Sequence, residues 1–147
     1  MDPISFLDVA RELANGRTEA HWRTSVSRSY YALFNVVTAN LSDTVSWRKD
    51  ASDHQKVIEF LRGARQSAGD QEEDVASALD DLRENRNLAD YDMDTPFRSS
   101  RSAGVVVAKA HLAIQAFQGI QRAALRQRIR LHLERTNQLN FLRRQTL

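Results

Sequence analysis

The chain has no cysteine, and only two prolines and five glycines, in 147 residues. Without cysteine there is neither a disulfide framework nor a thiolate site, a composition that suits a reducing cytoplasm. So few helix breakers favour long helices. Long apolar runs are missing too. Tyr30 to Phe34 and Ala103 to Ala108 are among the longest, far short of the roughly 20 residues that span a bilayer. The opening MDPISFLDVARELA has no basic region followed by an apolar block, so no secretory leader is expected and the location expected is cytoplasmic. There is no phosphate-cradling glycine loop and no serine-nucleophile turn. His21, His111 and His132 stand at no metal-ligand spacing, so neither a metal nor another cofactor is expected.

What is present is ordinary in amount and uneven in distribution. An apolar content of 41% with 27% charged residues falls in the globular range, and the length suits one domain. Net charge is +2, yet residues 70–94 hold ten of the nineteen acids, and residues 122–147 hold seven arginines against one glutamate. A basic tail beside an acidic helix reads either as a polyanion-facing surface or as the solvated faces of a charged bundle.

Helical periodicity runs through the sequence, and no strand pattern or internal repeat does. Asp2 and Pro3 open a first helix that ends at about Asn15 before Gly16. A second, about 19–41, carries Trp22, Val26, Tyr30, Leu33, Val37 and Leu41 on one stripe. Ser52-Asp-His-Gln55 reads as a capping box opening a third helix to about Arg65, and Asp70 with Glu73 repeats the box for a fourth. The fourth helix has the seam Val75, Leu79, Leu82 and then Arg86, with a loop from Asp90 to Ser99. A fifth, with Val107, Ala110, Ile114 and Phe117 inward, is expected to run from about Arg101 to the mid-130s. Short loops between amphipathic helices imply an all-α, up-and-down antiparallel bundle of about five helices. Residues 1–120 form the bundle in this reading, and 121–147 a basic helical extension.

Two polar residues interrupt apolar stripes. Arg86 continues the Leu79–Leu82 seam, and a guanidinium cannot neutralise itself by losing a proton. It needs a partner: Asp90 one turn on, a neighbouring subunit or a bound anion. His54 lies on the stripe of Ile58 and Leu61, in the first turn of its helix, where the dipole favours neutral imidazole. If helices three and four fold back on one another, His54 comes level with Arg83 and within a turn of Arg86. A histidine that merely packs or caps a helix start is the plainer reading. Arg28, Tyr31 and Asn35 form a polar line that either borders a groove or meets solvent.

Ser27-Arg-Ser-Tyr-Tyr-Ala-Leu-Phe34 resembles the second-helix signature of HEPN-domain proteins, a helical family of prokaryotic conflict systems and some eukaryotic proteins. Leu82-Arg-Glu-Asn-Arg-Asn-Leu-Ala-Asp-Tyr-Asp92 resembles the segment that holds the family's functional motif, and His54-Gln-Lys-Val57 fits the subgroup whose late motif reads Arg-x-x-Ala-Asp-Tyr-Asp. The resemblance covers about residues 5–120. It implies a HEPN-like bundle, a homodimer, and a metal-independent cleavage of RNA through 2′-hydroxyl attack at an Arg-polar-x(4–6)-His motif. Arg86 and Asn87 match the first two positions. Counting four, five and six residues on from Asn87 reaches Tyr91, Asp92 and Met93, and no histidine.

Two expectations follow. In one, His54 or Tyr91 replaces the missing histidine: Arg86 stabilises the phosphate, His54 takes the proton, Asn87 and Asp90 orient phosphate and guanidinium, and Arg122, Arg126 and Arg130 hold the RNA backbone. In the other, the domain is a catalytically silent binding or regulatory module, or a helical adaptor. The resemblance implies a toxin–antitoxin or defence setting, with a cognate antitoxin or a nucleotidyltransferase as partner.

Overall fold

A computed structural model describes residues 1–143. They form six α-helices: α1 (Ser5–Ala14), α2 (Glu19–Asn40), α3 (Ser52–Ala64), α4 (Gln71–Tyr91), α5 (Ser100–Gln118) and α6 (Arg122–Arg135), followed by a 3₁₀ turn at Leu139–Phe141. Among the described residues no single helix is long and apolar enough to cross a membrane.

α2 is the central element, packed against α1, α4 and α5, while α3 lies against α4 on one side and α6 on the other. Side-chain pairings fix the antiparallel sense. Gln55 near the start of α3 meets Arg83 late in α4, and Arg65 just past the end of α3 meets Glu73 in the first turn of α4. The expected stripes are the buried ones: Val26, Tyr30, Leu33 and Val37 in α2, Val75, Leu79 and Leu82 in α4, Val107, Ala110, Ile114 and Phe117 in α5. Burying a side chain of that size contributes about 1.5–3 kcal/mol, so these stripes, rather than intrinsic propensity, hold the helices together.

Helix ends depart from expectation in three places. Ser52 is already helical, and Ala51 precedes it with no side-chain cap. Capping at this end falls to Asp50, which accepts from the Ser52 amide at 2.8 Å, while the buried Asp53 carboxylate ties down the preceding loop by accepting from the Arg48 and Lys49 amides at 3.1 and 2.7 Å. Asp70 caps α4 as expected, accepting from the Glu73 amide at 3.0 Å. α4 runs on through Asp90 and Tyr91, so those residues occupy its last turn and not a loop. The expected long fifth helix is two helices, bent by 91° between Gln118 and Arg122. Gly119 closes α5, Ile120 is buried in the bend, and the Gln121 side chain caps α6 by accepting from the Ala124 amide at 2.6 Å.

α6 is thereby turned onto α3, where Leu125, Ile129 and Leu133 are buried. Arg128 anchors it: Nε donates to the Ala64 carbonyl at 2.7 Å, and the guanidinium pairs with the buried Glu72 carboxylate. Beyond α6, Leu142 makes an isolated antiparallel bridge with Val45, and the Ser46 amide donates to the Phe141 carbonyl at 2.7 Å. The loop after α2 is thus held by residues almost a hundred positions later.

Candidate functional site

Arg86 is buried, at 8% exposure, on the face that α4 turns toward α2. Its guanidinium carbon stands 5.4 Å from the Tyr30 ring centre, 5.5 Å from Tyr31 and 5.9 Å from Tyr91. Among the described residues it joins no ion pair, and its buried Nε has no hydrogen-bond partner. The expected Asp90 partner is turned elsewhere: its carboxylate accepts from the Ser27 hydroxyl at 3.2 Å. With the guanidinium seated among the rings of α2, the carboxylate one turn on reaches the neighbouring serine instead. Three aromatic faces compensate part of the desolvation of the cation, and no anion does.

His54 comes to the same place, as the fold-back of α3 on α4 predicts. Its Nδ1 lies 2.5 Å from the Tyr30 hydroxyl, and its ring packs 4.4 Å from Phe34. Burial holds the imidazole below its ordinary pKa, helped by the Arg86 and Arg83 charges, so it is neutral at pH 7. Burial pushes Tyr30 well above the usual tyrosine value, against the opposing pull of Arg83 and Arg86. The fully buried Tyr30 hydroxyl therefore keeps its proton and needs an acceptor, which Nδ1 supplies. That assignment leaves the imidazole N–H on Nε2, a donor.

A second arginine adjoins the cluster. Arg28 on α2 stands 5.2 Å over the Tyr31 ring and 5.7 Å over Phe6, and its buried Nε too has no partner among the described residues. Tyr31 thus carries a guanidinium from α2 and another from α4. Of the polar line Arg28, Tyr31 and Asn35, the last two border a cleft rather than meeting open solvent. Tyr91 is 73% exposed at the end of α4, close to the exposed Leu88 and Met93, and Asn87 is exposed as well.

The arginines of α6 are not part of this cluster. Arg122, Arg126 and Arg130 keep their four-residue spacing on a separate helix that packs on α3. Arg126 is committed to Asp43 at 3.0 Å, Arg122 is exposed and Arg130 half-buried. Arg128 contacts Glu72 in the first turn of α4, fourteen residues or about 21 Å of helix from Arg86. The lopsided charge is therefore partly neutralised within the fold, by Arg128 with Glu72 and by Arg62 and Arg65 with Glu73.

Arg23 escaped the sequence reading and organises the end of α4. It donates to the carbonyls of Leu88, Ala89 and Asp92 at 3.1, 2.9 and 2.8 Å, to Thr95 at 2.5 Å, and to Glu19 at 2.9 Å. These bonds satisfy carbonyls that the helix end leaves open and so set where Asp90 and Tyr91 point. The signal was present: Arg23 lies three and seven residues before Val26 and Tyr30, on the same apolar stripe, as Arg86 lies on its own.

Among the described residues no three His, Cys, Asp or Glu side chains are grouped to hold a metal ion. No family model, curated protein or solved structure matches this chain.

Proposed function

We propose that this chain is an RNA-binding helical module of the HEPN kind, acting as a homodimer, in which Arg86 receives a backbone phosphate. The observation that carries the reading is the partnerless Arg86 guanidinium, buried among three tyrosines with a neutral histidine and two further arginines around it. A buried cation without an anion is costly, and a phosphate oxygen accepts the donors that Arg86 and His54 Nε2 offer. The exposed Leu88, Tyr91 and Met93 beside it suit a two-fold contact that would set two such clusters side by side.

Binding fits this geometry better than cleavage. To take a 2′-hydroxyl proton, His54 must present a bare Nε2, which places the proton on Nδ1 and deprives Tyr30 of its acceptor. Metal-independent cleavage remains a second reading, favoured by the neutral imidazole beside the Arg86 charge. The toxin–antitoxin or defence setting, with an antitoxin or nucleotidyltransferase partner, rests on the resemblance of residues 27–34 and 82–92.

Anisotropy titration of a labelled single-stranded RNA tests the proposal. Wild type should bind with an affinity that falls as salt rises, and Arg86→Ala should bind at least tenfold more weakly while keeping its helical content. A wild type that binds no RNA sinks the reading. Incubation with EDTA present decides the second: products ending in 2′,3′-cyclic phosphate, lost in Arg86→Ala and in His54→Ala, would make the chain a ribonuclease. Growth arrest on expression, relieved by Arg86→Ala, would place it among toxins.

A further inference from the structure

A cleft of about 820 Å³ opens between the start of α1, the middle of α2 and the segment leading into α3. Its volume lies within the range of small-ligand sites, about 300–1,000 Å³. Phe6, Tyr31, Phe34 and Trp47 line it, with Asn35 and His54 among the polar residues. Most of the other polar lining is committed within the fold. Asp53 accepts from the Arg48 and Lys49 amides, and the Thr38 hydroxyl donates to the Phe34 carbonyl. Asn35 differs: its half-buried amide enters no hydrogen bond among the described residues. An amide offers a donor pair and an acceptor side by side, the pattern that reads the edge of a nucleobase.

The cleft and the arginine cluster share a wall. Tyr31 lines the cleft and also lies 5.2 Å from the Arg28 guanidinium and 5.5 Å from that of Arg86. His54 likewise belongs to both. An aromatic slot with one free amide, next to unpaired guanidinium groups, matches a base joined through its sugar to a phosphate. Paired bases are stacked and inaccessible, so the strand must present an unpaired one.

We infer that this cleft holds one unpaired nucleobase of an RNA strand, stacked on its aromatic wall and read at its edge by Asn35. The inference rests on the reading of Arg86 as a phosphate site, and its test separates the two. Trp47 lines the cleft, and Trp22→Phe leaves it as the sole tryptophan, so its fluorescence reports a stacked base. The full chain carrying that change is titrated with a short oligoadenylate, an abasic strand of equal length, and AMP. The oligoadenylate should quench Trp47 and bind about 5- to 150-fold more tightly than the abasic strand, the factor expected for one stacked base. Asn35→Leu should lower that preference only by the part that edge recognition adds, with the stacked base still quenching Trp47. Equal affinity for both strands, Arg86-dependent and without quenching, would overturn the cleft and leave the phosphate site standing. Quenching by AMP with no strand bound would keep the cleft as a nucleotide site and remove the RNA reading. No quenching and no binding by any probe would overturn both.

Discussion

Arg23 and Arg86 are buried to the same degree, 8% exposed, at the seam between α2 and α4. Their surroundings are opposite. Arg23 is enclosed by four backbone carbonyls and the Glu19 carboxylate, with Phe97 4.8 Å beneath its plane. Arg86 has aromatic faces and, among the described residues, no oxygen. A fold that needs a buried cation surrounds it with acceptors, because the desolvation cost otherwise stays uncompensated. The contrast separates a guanidinium that the fold uses from one that it keeps available.

The largest effect expected from this contrast is on stability at Arg23. Arg23→Ala strips buried carbonyls of their donor and should lower the unfolding free energy by about 3–5 kcal/mol in urea denaturation. A loss under about 1 kcal/mol would erase the distinction from Arg86. Arg86→Met is the counterpart: removing a partnerless cation should be neutral or stabilising by about 1 kcal/mol, with RNA binding lost. A destabilised Arg86→Met would assign that arginine to the structure after all.

Acid sharpens the comparison from the histidine side. Burial, with Arg86 and Arg83, holds His54 below its ordinary pKa, and burial does the same for His132. The unfolded chain takes up these protons near pH 6.5, before the folded chain does. Their contribution to stability is therefore complete above about pH 6.5 and is lost as pH falls through the range below it. Thermal melts from neutral to pH 5 should decline, and less steeply for Arg86→Met, which relieves one cause of the shift. Identical slopes would detach His54 from Arg86. The smallest effect belongs to α6. Arg122→Gln and Arg130→Gln should each reduce the log–log salt dependence of single-strand binding by about 0.7 for every phosphate that the variant no longer neutralises. Unchanged slopes would return both to a solvated face.

The helical architecture was readable because its stripes are long: Tyr30 sits between Val26 and Leu33 at helical spacing, and each of the three is buried. Arg86 was readable for the same reason, as a charge on such a stripe. The bend after Gln118 was not, since Phe117, Leu125 and Ile129 continue one apolar phase across it, and only Gly119 and the Gln121 cap interrupt it. Local capping at Ser52 was misread because Asp50 takes the Ser52 amide, while Asp53 reaches back to the Arg48 and Lys49 amides. The Tyr30–His54 bond, the Asp90–Ser27 contact and the Arg128–Glu72 pair join residues from different helices. Periodicity within one helix carries no information about such meetings, so it brought His54 level with Arg86 without revealing which of its nitrogens was already taken.

The bridge between Val45 and Leu142 couples the loop beside the cleft to the segment beyond α6. The rings around Arg86 come from α2 and α4 and take nothing from that segment. The loop bearing Trp47 is held from two directions: its indole donates to the Thr38 carbonyl at 2.9 Å, and Phe141, Leu142 and Arg143 hold it at Ser46, Val45 and Thr44. Loosening the contacts beyond α6 would therefore disturb one wall of the aromatic cleft while leaving the rings around Arg86 in place.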